Sequence, residues 1–156
     1  MVVLLTMQYW LMKSEPEAYS IWDLQHDRTT VWDGVRNYQA RNYLRSMQPD
    51  DLAFFYHSNA SPPGIAGLMK ILEAGIADPT QFDPSSDYYD AKSTINAPRW
   101  QTVRVGFVRA VKFVPLETLR QAFTPDELTV VRPGNRLSVM PIPPNTAEKL
   151  LQLASS

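Results

Sequence analysis

The sequence predicts one mixed α/β domain of the α+β kind, with a small curved sheet or open barrel surrounded by short helices. Its 156 residues are enough for a single domain with a substantial core. Apolar residues make up 44% and charged residues 20% of the chain, which is typical of a globular protein. Short apolar runs alternate with helical patterns and proline-containing turns, and this alternation predicts about five strands. We expect residues 1–6 to form a short N-terminal extension and residues 7–154 to form the domain.

The first part of the chain contains three segments with strand patterns. Residues 9–13 are apolar at successive positions, which is typical of a central strand buried on both faces. Ser20 is positioned to cap a short helix over residues 21–25. Residues 52–57 are rich in aromatic side chains and predict a second buried strand, and residues 64–71 predict a third.

The second part begins with an irregular segment. Residues 78–98 are rich in Asp, Pro, Ser and Tyr and predict a long surface loop with one turn of helix. Valine and phenylalanine recur at alternate positions through residues 102–114, which predicts a long strand. The remaining elements are predicted as a short helix over 116–123, a new helix that begins at 124–127, a strand over 136–140 and a closing helix that ends at Leu153.

The stretch VWDGVRNYQARN, residues 31–42, combines an aromatic side chain, a turn and the start of a helix. Asp33 and Gly34 form a strong turn pair, since glycine tolerates a positive φ. Arg36 and Asn37 lie near the helix start, where free N–H groups favour an anion. The helix itself is predicted from an apolar stripe of Ala40, Tyr43, Leu44 and Met47, opposite a face with Tyr38, Arg41 and Arg45.

Two interpretations of Trp32 in this stretch are open from the residues alone. In one, Trp32 lies in a binding site beside a small basic helix entrance. In the other, Trp32 is an ordinary core aromatic and the arginines are solvated, because large aromatic side chains are usually buried.

The charge distribution predicts that any nucleic acid is bound by local patches. The net charge is −1, so the chain has no overall basic field. Residues 34–49 contain three arginines and no acid, and residues 92–116 contain five basic residues and no acid. From these two strips we expect phosphate contacts by Arg36, Arg41, Arg45, Arg104 and Arg109.

Residue groups typical of catalysis are missing from the sequence. There are no cysteines, which excludes disulfides and thiol chemistry and is compatible with a reducing cytosol or nucleus, of which we expect the cytoplasm. His57 and Ser58 are neighbours on a predicted strand, so their side chains point to opposite faces and do not form a base and nucleophile pair. The two histidines have no metal-binding spacing, and no glycine loop for phosphate is present. We therefore expect no enzyme, no cofactor and no metal. The N-terminal VVLLT run is too short to span a bilayer, so no membrane association is expected either.

Five longer motifs occur in a fixed order along the chain. They are YWLMKSEP at 9–16, WDGVRNYQARN at 32–42, FFYHS at 54–58, PGIAGLMKI at 63–71 and RLSVMP at 136–141. Together they resemble the EVE domain family, in particular its thymocyte nuclear protein group. The resemblance covers nearly everything from Met7 to the closing helix. Only six residues precede Met7, so we expect a stand-alone protein of prokaryotic type without the tail of the nuclear relatives.

The resemblance implies a PUA-like fold related to the YTH domain. It also implies a non-catalytic reader of DNA or RNA that takes a modified base, such as a modified cytosine, into an aromatic pocket. The alternative is an enzyme that acts on a small molecule or nucleotide in the same pocket. The resemblance leaves the oligomeric state open.

Site residues follow from the same resemblance. Trp32 would form one wall of the pocket, and the second aromatic wall would be Phe107, Trp100 or Tyr56. The polar edge of the base would meet Lys13, Ser14 and Glu15, with backbone groups from Asp33, Gly34 and Val35. The pocket residues are completed by Asn37 and, at the rim, by His57 and Ser58.

Overall fold

The computed structural model describes residues 7–155, which contain one open sheet of six strands. The strands are β1 (Tyr9–Ser14), β2 (Thr29–Val31), β3 (Leu52–His57), β4 (Gly64–Ala77), β5 (Gln101–Pro115) and β6 (Val139–Ile142). Their order in the sheet is β2-β5-β4-β3-β1-β6, so β2 and β6 are edges that do not pair with each other. Strands β1 and β3 are parallel, whereas the other neighbours are antiparallel. The predicted mixed α+β class with an open sheet is confirmed.

Four α-helices surround this sheet within the described residues. They are α1 (Ile21–Asp27), α2 (Tyr38–Ser46), α3 (Leu116–Ala122) and α4 (Pro144–Ser155), with short 3₁₀ turns at Pro79–Phe82 and Thr129–Val131. Ser20 caps α1 in the predicted way, because its hydroxyl accepts a hydrogen bond from the Asp23 N–H. Asn37 caps α2, because its side-chain oxygen accepts from the Ala40 N–H at 2.9 Å.

The sheet is buried on both faces, which explains the continuous apolar runs of its central strands. Successive residues of β1 point to opposite sides, so Trp10 and Met12 join the core under α1 and α2. Leu11 joins the core on the other face, which α3 and α4 cover. The same alternation places Phe55 in the first core and Phe54 in the second.

Several element predictions are confirmed, and the structure differs from the predictions at four places. Strand β4 runs to Ala77, beyond the predicted end at residue 71, because it forms a long hairpin with β5. Strand β2 was not predicted, because its three residues are too few for a periodic pattern. No helix begins at 124–127, where Glu127 instead accepts a hydrogen bond from the Thr124 N–H within a turn. The last strand lies at Val139–Ile142 and includes Pro141, which the sheet edge tolerates.

The predicted N-terminal extension, residues 1–6, lies outside the described part of the chain. Between residues 7 and 155, no helix has the length and apolar character needed to cross a membrane.

Candidate nucleic-acid interface

A cavity of about 750 Å³ lies beside the carboxyl ends of β1 and β3. Because these two strands are parallel, their carboxyl ends lie side by side, and the loops that follow them meet there. The segment before β6 lies at the same strand ends, since the Lys13 N–H donates to the Ser138 carbonyl at 2.8 Å. The lining comprises Lys13, Ser14, Glu15, Ala18, Tyr19, Thr30, Val31, Trp32, Asp33, Gly34, Val35, Arg36, Ser58, Asn59, Tyr88, Arg136 and Ser138.

Trp32 lies in the cavity wall and also in the core. Its residue is 6% exposed, and its ring packs edge-on against Phe55, with 5.4 Å between ring centroids. Its backbone is fixed by β5, because its N–H donates to the Val103 carbonyl and its carbonyl accepts from the Thr102 hydroxyl. Trp32 is therefore a core residue whose exposed edge lines the cavity.

Arg36 is held by the long loop that leads from β4 to β5. Its Nη1 donates to the buried Asp78 carboxylate at 3.0 Å and to the Val35 carbonyl at 2.9 Å. Its Nη2 donates to the Thr80 hydroxyl at 3.0 Å, and Nε and Nη2 both donate to the Tyr88 carbonyl, at 3.0 and 2.7 Å. A guanidinium has five N–H groups, so every donor of Arg36 is used inside the protein.

Tyr88 is the exposed aromatic side chain of the cavity. Its residue is 43% exposed, and its backbone is fixed by the two hydrogen bonds from Arg36. Its ring lies directly against Gly34, where an added Cβ would be 2.8 Å from the ring carbons. Gly34 also has φ +85, a left-handed conformation that side chains other than glycine rarely adopt. Glycine is therefore required at this position for two reasons, the turn and the approach of Tyr88.

The polar lining combines acids and bases. Burial raises the pKa of Asp33 above its usual value, and the nearby Asp78 carboxylate adds to this effect. Burial lowers the pKa of Lys13, whose Nζ lies 3.5 Å from the Asn135 carbonyl oxygen. The pKa of Tyr19 is raised to about 12 by burial and by its hydrogen bond to Asp27. The cavity can thus offer carboxylate acceptors to an amine and a lysine donor to a carbonyl.

The structure brings together eight of the thirteen residues predicted for the base pocket. Those that line the cavity are Lys13, Ser14, Glu15, Trp32, Asp33, Gly34, Val35 and Ser58. They come from three separate segments of the chain, which the fold brings together.

The other five predicted pocket residues do not line this cavity. Asn37 caps α2, and Tyr56 is buried in the core on the opposite face of the sheet. His57 is 4% exposed, and its Nε2 accepts from the Ile21 N–H at 3.1 Å. Phe107 packs on the first core beside Arg28. Trp100 is buried behind Arg36 and donates from Nε1 to Asp90 at 2.8 Å, so none of the three proposed second walls reaches the cavity.

Four of the five arginines expected to contact phosphate make hydrogen bonds or ion pairs within the protein. Arg36 has no free donor, Arg41 donates to the Arg99 carbonyl, Arg45 to Gln101, and Arg104 pairs with Glu73 at 3.5 Å. Arg41 and Arg45 thereby join α2 to residues 99–101, and Arg104 joins β5 to β4. Arg109 is exposed but does not line the cavity.

The lining residues that come from irregular segments were not predicted from the sequence. Tyr88 lies in the middle of the long loop, and Arg136 and Ser138 precede β6. The length of the loop and its content of tyrosine were the available signals, since long loops often carry function. Within residues 7–155, no cluster of three or more His, Asp or Glu side chains has the geometry of a metal site.

The EVE domain family model matches residues 8–153 of this chain. Thymocyte nuclear protein 1 of Mus musculus is 45% identical over 93% of this chain and 73% of its own length. A crystal structure of a protein from Pseudomonas syringae is 48% identical with a TM-score of 0.89, covering 94% of this chain and 99% of the other.

Two further solved structures are similar to this chain. The human THYN1 protein, in complex with DNA that contains 5-methylcytosine, is 43% identical with a TM-score of 0.87, covering 96% of this chain and 98% of the other. The YTH domain of Zygosaccharomyces rouxii MRB1 has a TM-score of 0.56 at 16% identity, over 100% of this chain and 92% of the other, and it shows the fold alone. The predicted PUA-like fold is confirmed, and the chain belongs to the EVE domain family.

Proposed function

We propose that the protein is a non-catalytic reader that takes one modified base of a nucleic acid, a modified cytosine such as 5-methylcytosine, into the cavity beside Trp32 and Tyr88. The observation that carries the proposal is a cavity that combines aromatic and ionised side chains at one sheet edge. It is supported by the complex of the similar human protein with DNA that contains 5-methylcytosine.

The chemistry of the lining suits a nucleobase. A flipped base loses a few kcal/mol of stacking and pairing, and readers recover this by stacking on aromatic rings and by bonding the polar edge. The exposed ring of Tyr88 offers a stacking surface. Carboxylates such as Glu15 and Asp33 suit the exocyclic amine of cytosine, and Lys13 suits its carbonyl oxygen.

Catalysis in the same cavity is the alternative function. A general base must reach its substrate, but His57 is buried and its Nε2 is already an acceptor for the Ile21 N–H. This arrangement favours a reader over an enzyme.

Residues 7–154 form the proposed reader domain, and residues 1–6 its extension. We also propose the cytoplasm as the compartment, and fluorescence imaging of a tagged protein would distinguish it from the nucleus.

The test is a binding assay by fluorescence anisotropy with DNA and RNA oligonucleotides that differ only in one cytosine, plain or 5-methylated. One methyl group in an apolar environment contributes about 0.8 kcal/mol, so we expect about fourfold tighter binding of the methylated strand. Equal affinity for both strands would contradict the proposal. Conversion of the oligonucleotide by purified protein, lost on Glu15→Gln, would show the enzyme instead.

A further inference from the structure

A second groove, of about 330 Å³, adjoins the cavity at Arg136. Its lining comprises Asn37, Gln39, Arg132, Pro133, Gly134, Asn135, Arg136 and Leu137. Arg136 lines both the groove and the cavity, so the two form one continuous surface. The groove contains two arginines and no acid, whereas the cavity also contains Glu15 and Asp33.

The two arginines of the groove differ from those of α2 and β5. Arg132 and Arg136 are exposed, and within residues 7–155 neither side chain has an ion pair or hydrogen-bond partner. In contrast, Arg36, Arg41 and Arg104 are engaged by other parts of the protein. Free guanidinium groups are therefore available beside the cavity at this groove.

The segment that carries these arginines is well fixed. The side chain of Asn135 donates to the Thr129 carbonyl at 2.9 Å and accepts from the Leu137 N–H at 2.9 Å. Its backbone N–H donates to the Arg132 carbonyl at 3.2 Å, and its own carbonyl lies 3.5 Å from Lys13 Nζ. The backbone between Arg132 and Arg136 is thus held in place before any ligand binds, which lowers the entropic cost of a contact.

The geometry points to a phosphate-binding groove, in which Arg132 and Arg136 bind the phosphates next to the nucleotide whose base enters the cavity. This inference rests on the proposed function. A nucleotide consists of an uncharged base and an anionic phosphate. The surface correspondingly combines a cavity lined by both acids and bases with a groove lined by two arginines and no acid. The planar guanidinium of arginine bonds a phosphate through two N–H groups. The backbone of the bound strand therefore runs over the segment before β6 and not along α2.

The test compares Arg132→Gln, Arg136→Gln and the double variant with Arg109→Gln, which changes an exposed arginine outside both surfaces. Affinity for a methylated DNA strand, its plain counterpart and an RNA strand is measured at several salt concentrations. Each true phosphate contact contributes about 0.7 to 0.9 units to the slope of log affinity against log salt, depending on the strand. We expect each groove variant to reduce the slope by about 0.7 to 0.9 units, the double variant by about twice as much, and Arg109→Gln by none.

The outcomes separate this inference from the proposed function. Unchanged slopes in the double variant, with methylated DNA still preferred, would overturn the groove and leave the reader function intact. An equal loss of slope in Arg109→Gln would place the strand elsewhere and also overturn it. A changed ratio between methylated and plain strands at constant slope would mean that the arginines touch the base. If the wild-type protein binds no oligonucleotide at low salt, the proposed function fails and the groove fails with it.

Discussion

The Nη1 of Arg36 lies 3.0 Å from the Oδ2 of Asp78, and the Asp78 side chain is only 2% exposed. The same Oδ2 accepts from the Gly34 N–H at 2.8 Å, while Oδ1 accepts from the Thr80 N–H and hydroxyl. This carboxylate therefore joins the turn after Trp32 to the loop that carries Tyr88.

Asp78→Ala is expected to destabilise the protein by about 3–5 kcal/mol, because it leaves a mostly buried guanidinium and several N–H groups without their acceptor. Urea denaturation measures the free energy of unfolding. Glu73→Ala is the matched control, since it breaks the more exposed pair with Arg104 and should cost at most about 1 kcal/mol. A loss of unfolding free energy in Asp78→Ala as small as that in Glu73→Ala would show that the Asp78 network is not structural.

Trp32→Ala is expected to cost about 3–5 kcal/mol of stability, because Trp32 is a core residue as well as a cavity wall. A partly packed Trp32 could be removed with the domain still folded and only the base preference lost. The structure instead shows a buried core side chain. Trp22→Ala, at a tryptophan that is 63% exposed, is the control and should have a small effect. Thermal unfolding that leaves Trp32→Ala close to wild type would contradict the core role.

Tyr88→Ala is expected to weaken binding of a methylated strand by about 1–3 kcal/mol, the usual contribution of one aromatic to stacking with a base. Tyr88→Phe retains the ring and should bind nearly as well as wild type. The control is Tyr89→Ala, since Tyr89 is 44% exposed but does not line the cavity. Fold stability should be unchanged in all three variants, and a loss of affinity in Tyr89→Ala equal to that in Tyr88→Ala would refute the stacking role.

Gly34→Ala should reduce both stability and binding. The left-handed backbone costs about 1–2 kcal/mol for a residue with a side chain, and the new Cβ would also displace the Tyr88 ring. Gly75→Ala separates these effects, because Gly75 has φ +73 but no heavy atom within 4 Å of an added Cβ. We expect similar losses from backbone strain in the two variants, while only Gly34→Ala lowers affinity, as measured by anisotropy. Wild-type affinity in Gly34→Ala would mean that the position of Tyr88 does not matter.

His57 is expected to make stability depend on pH. Burial lowers the pKa of His57 below 6.5, so the unfolded chain binds more protons than the folded one as the pH falls through this value. The contribution of His57 is fully present above pH 6.5 and is lost as the pH falls towards its folded pKa, by at most about 1.4 kcal/mol per pH unit. His57→Gln keeps an acceptor for the Ile21 N–H and should flatten the profile of unfolding free energy between pH 7 and 5. An unchanged profile in His57→Gln would assign the dependence to other groups.

The fold was predictable from sequence wherever a pattern extended over several residues. The two-sided apolar run of β1 and the aromatic run of β3 predicted central strands, because burial on both faces requires apolar side chains at successive positions. The cap at Ser20 was predictable because it depends only on neighbouring residues. Strand β2 was not, because its pairing with β5 is set by tertiary contacts.

The site was predictable where it follows those strands and not where it depends on loops. Trp32 and the residues from Lys13 to Glu15 stood out by motif and by position at strand ends. The neutralisation of Arg36 could not be seen, because Asp78 lies 42 residues away along the chain. Trp100 and Tyr88 are both aromatic residues near the long loop, and only the folded structure shows that one packs inwards and the other lines the cavity.

The parallel pairing of β1 and β3 separates the frame of this domain from the parts that contact a ligand. The register from Tyr9 with Leu52 to Ser14 with His57 is set by backbone hydrogen bonds and core packing below the cavity. The cavity wall consists mainly of segments outside the paired strands, such as the loop with Tyr88 and the segment with Arg136. The exposed side chains of these segments, such as those of Tyr88 and Arg136, are not part of the strand pairing, which makes them the positions at which base specificity can be redesigned on a constant scaffold.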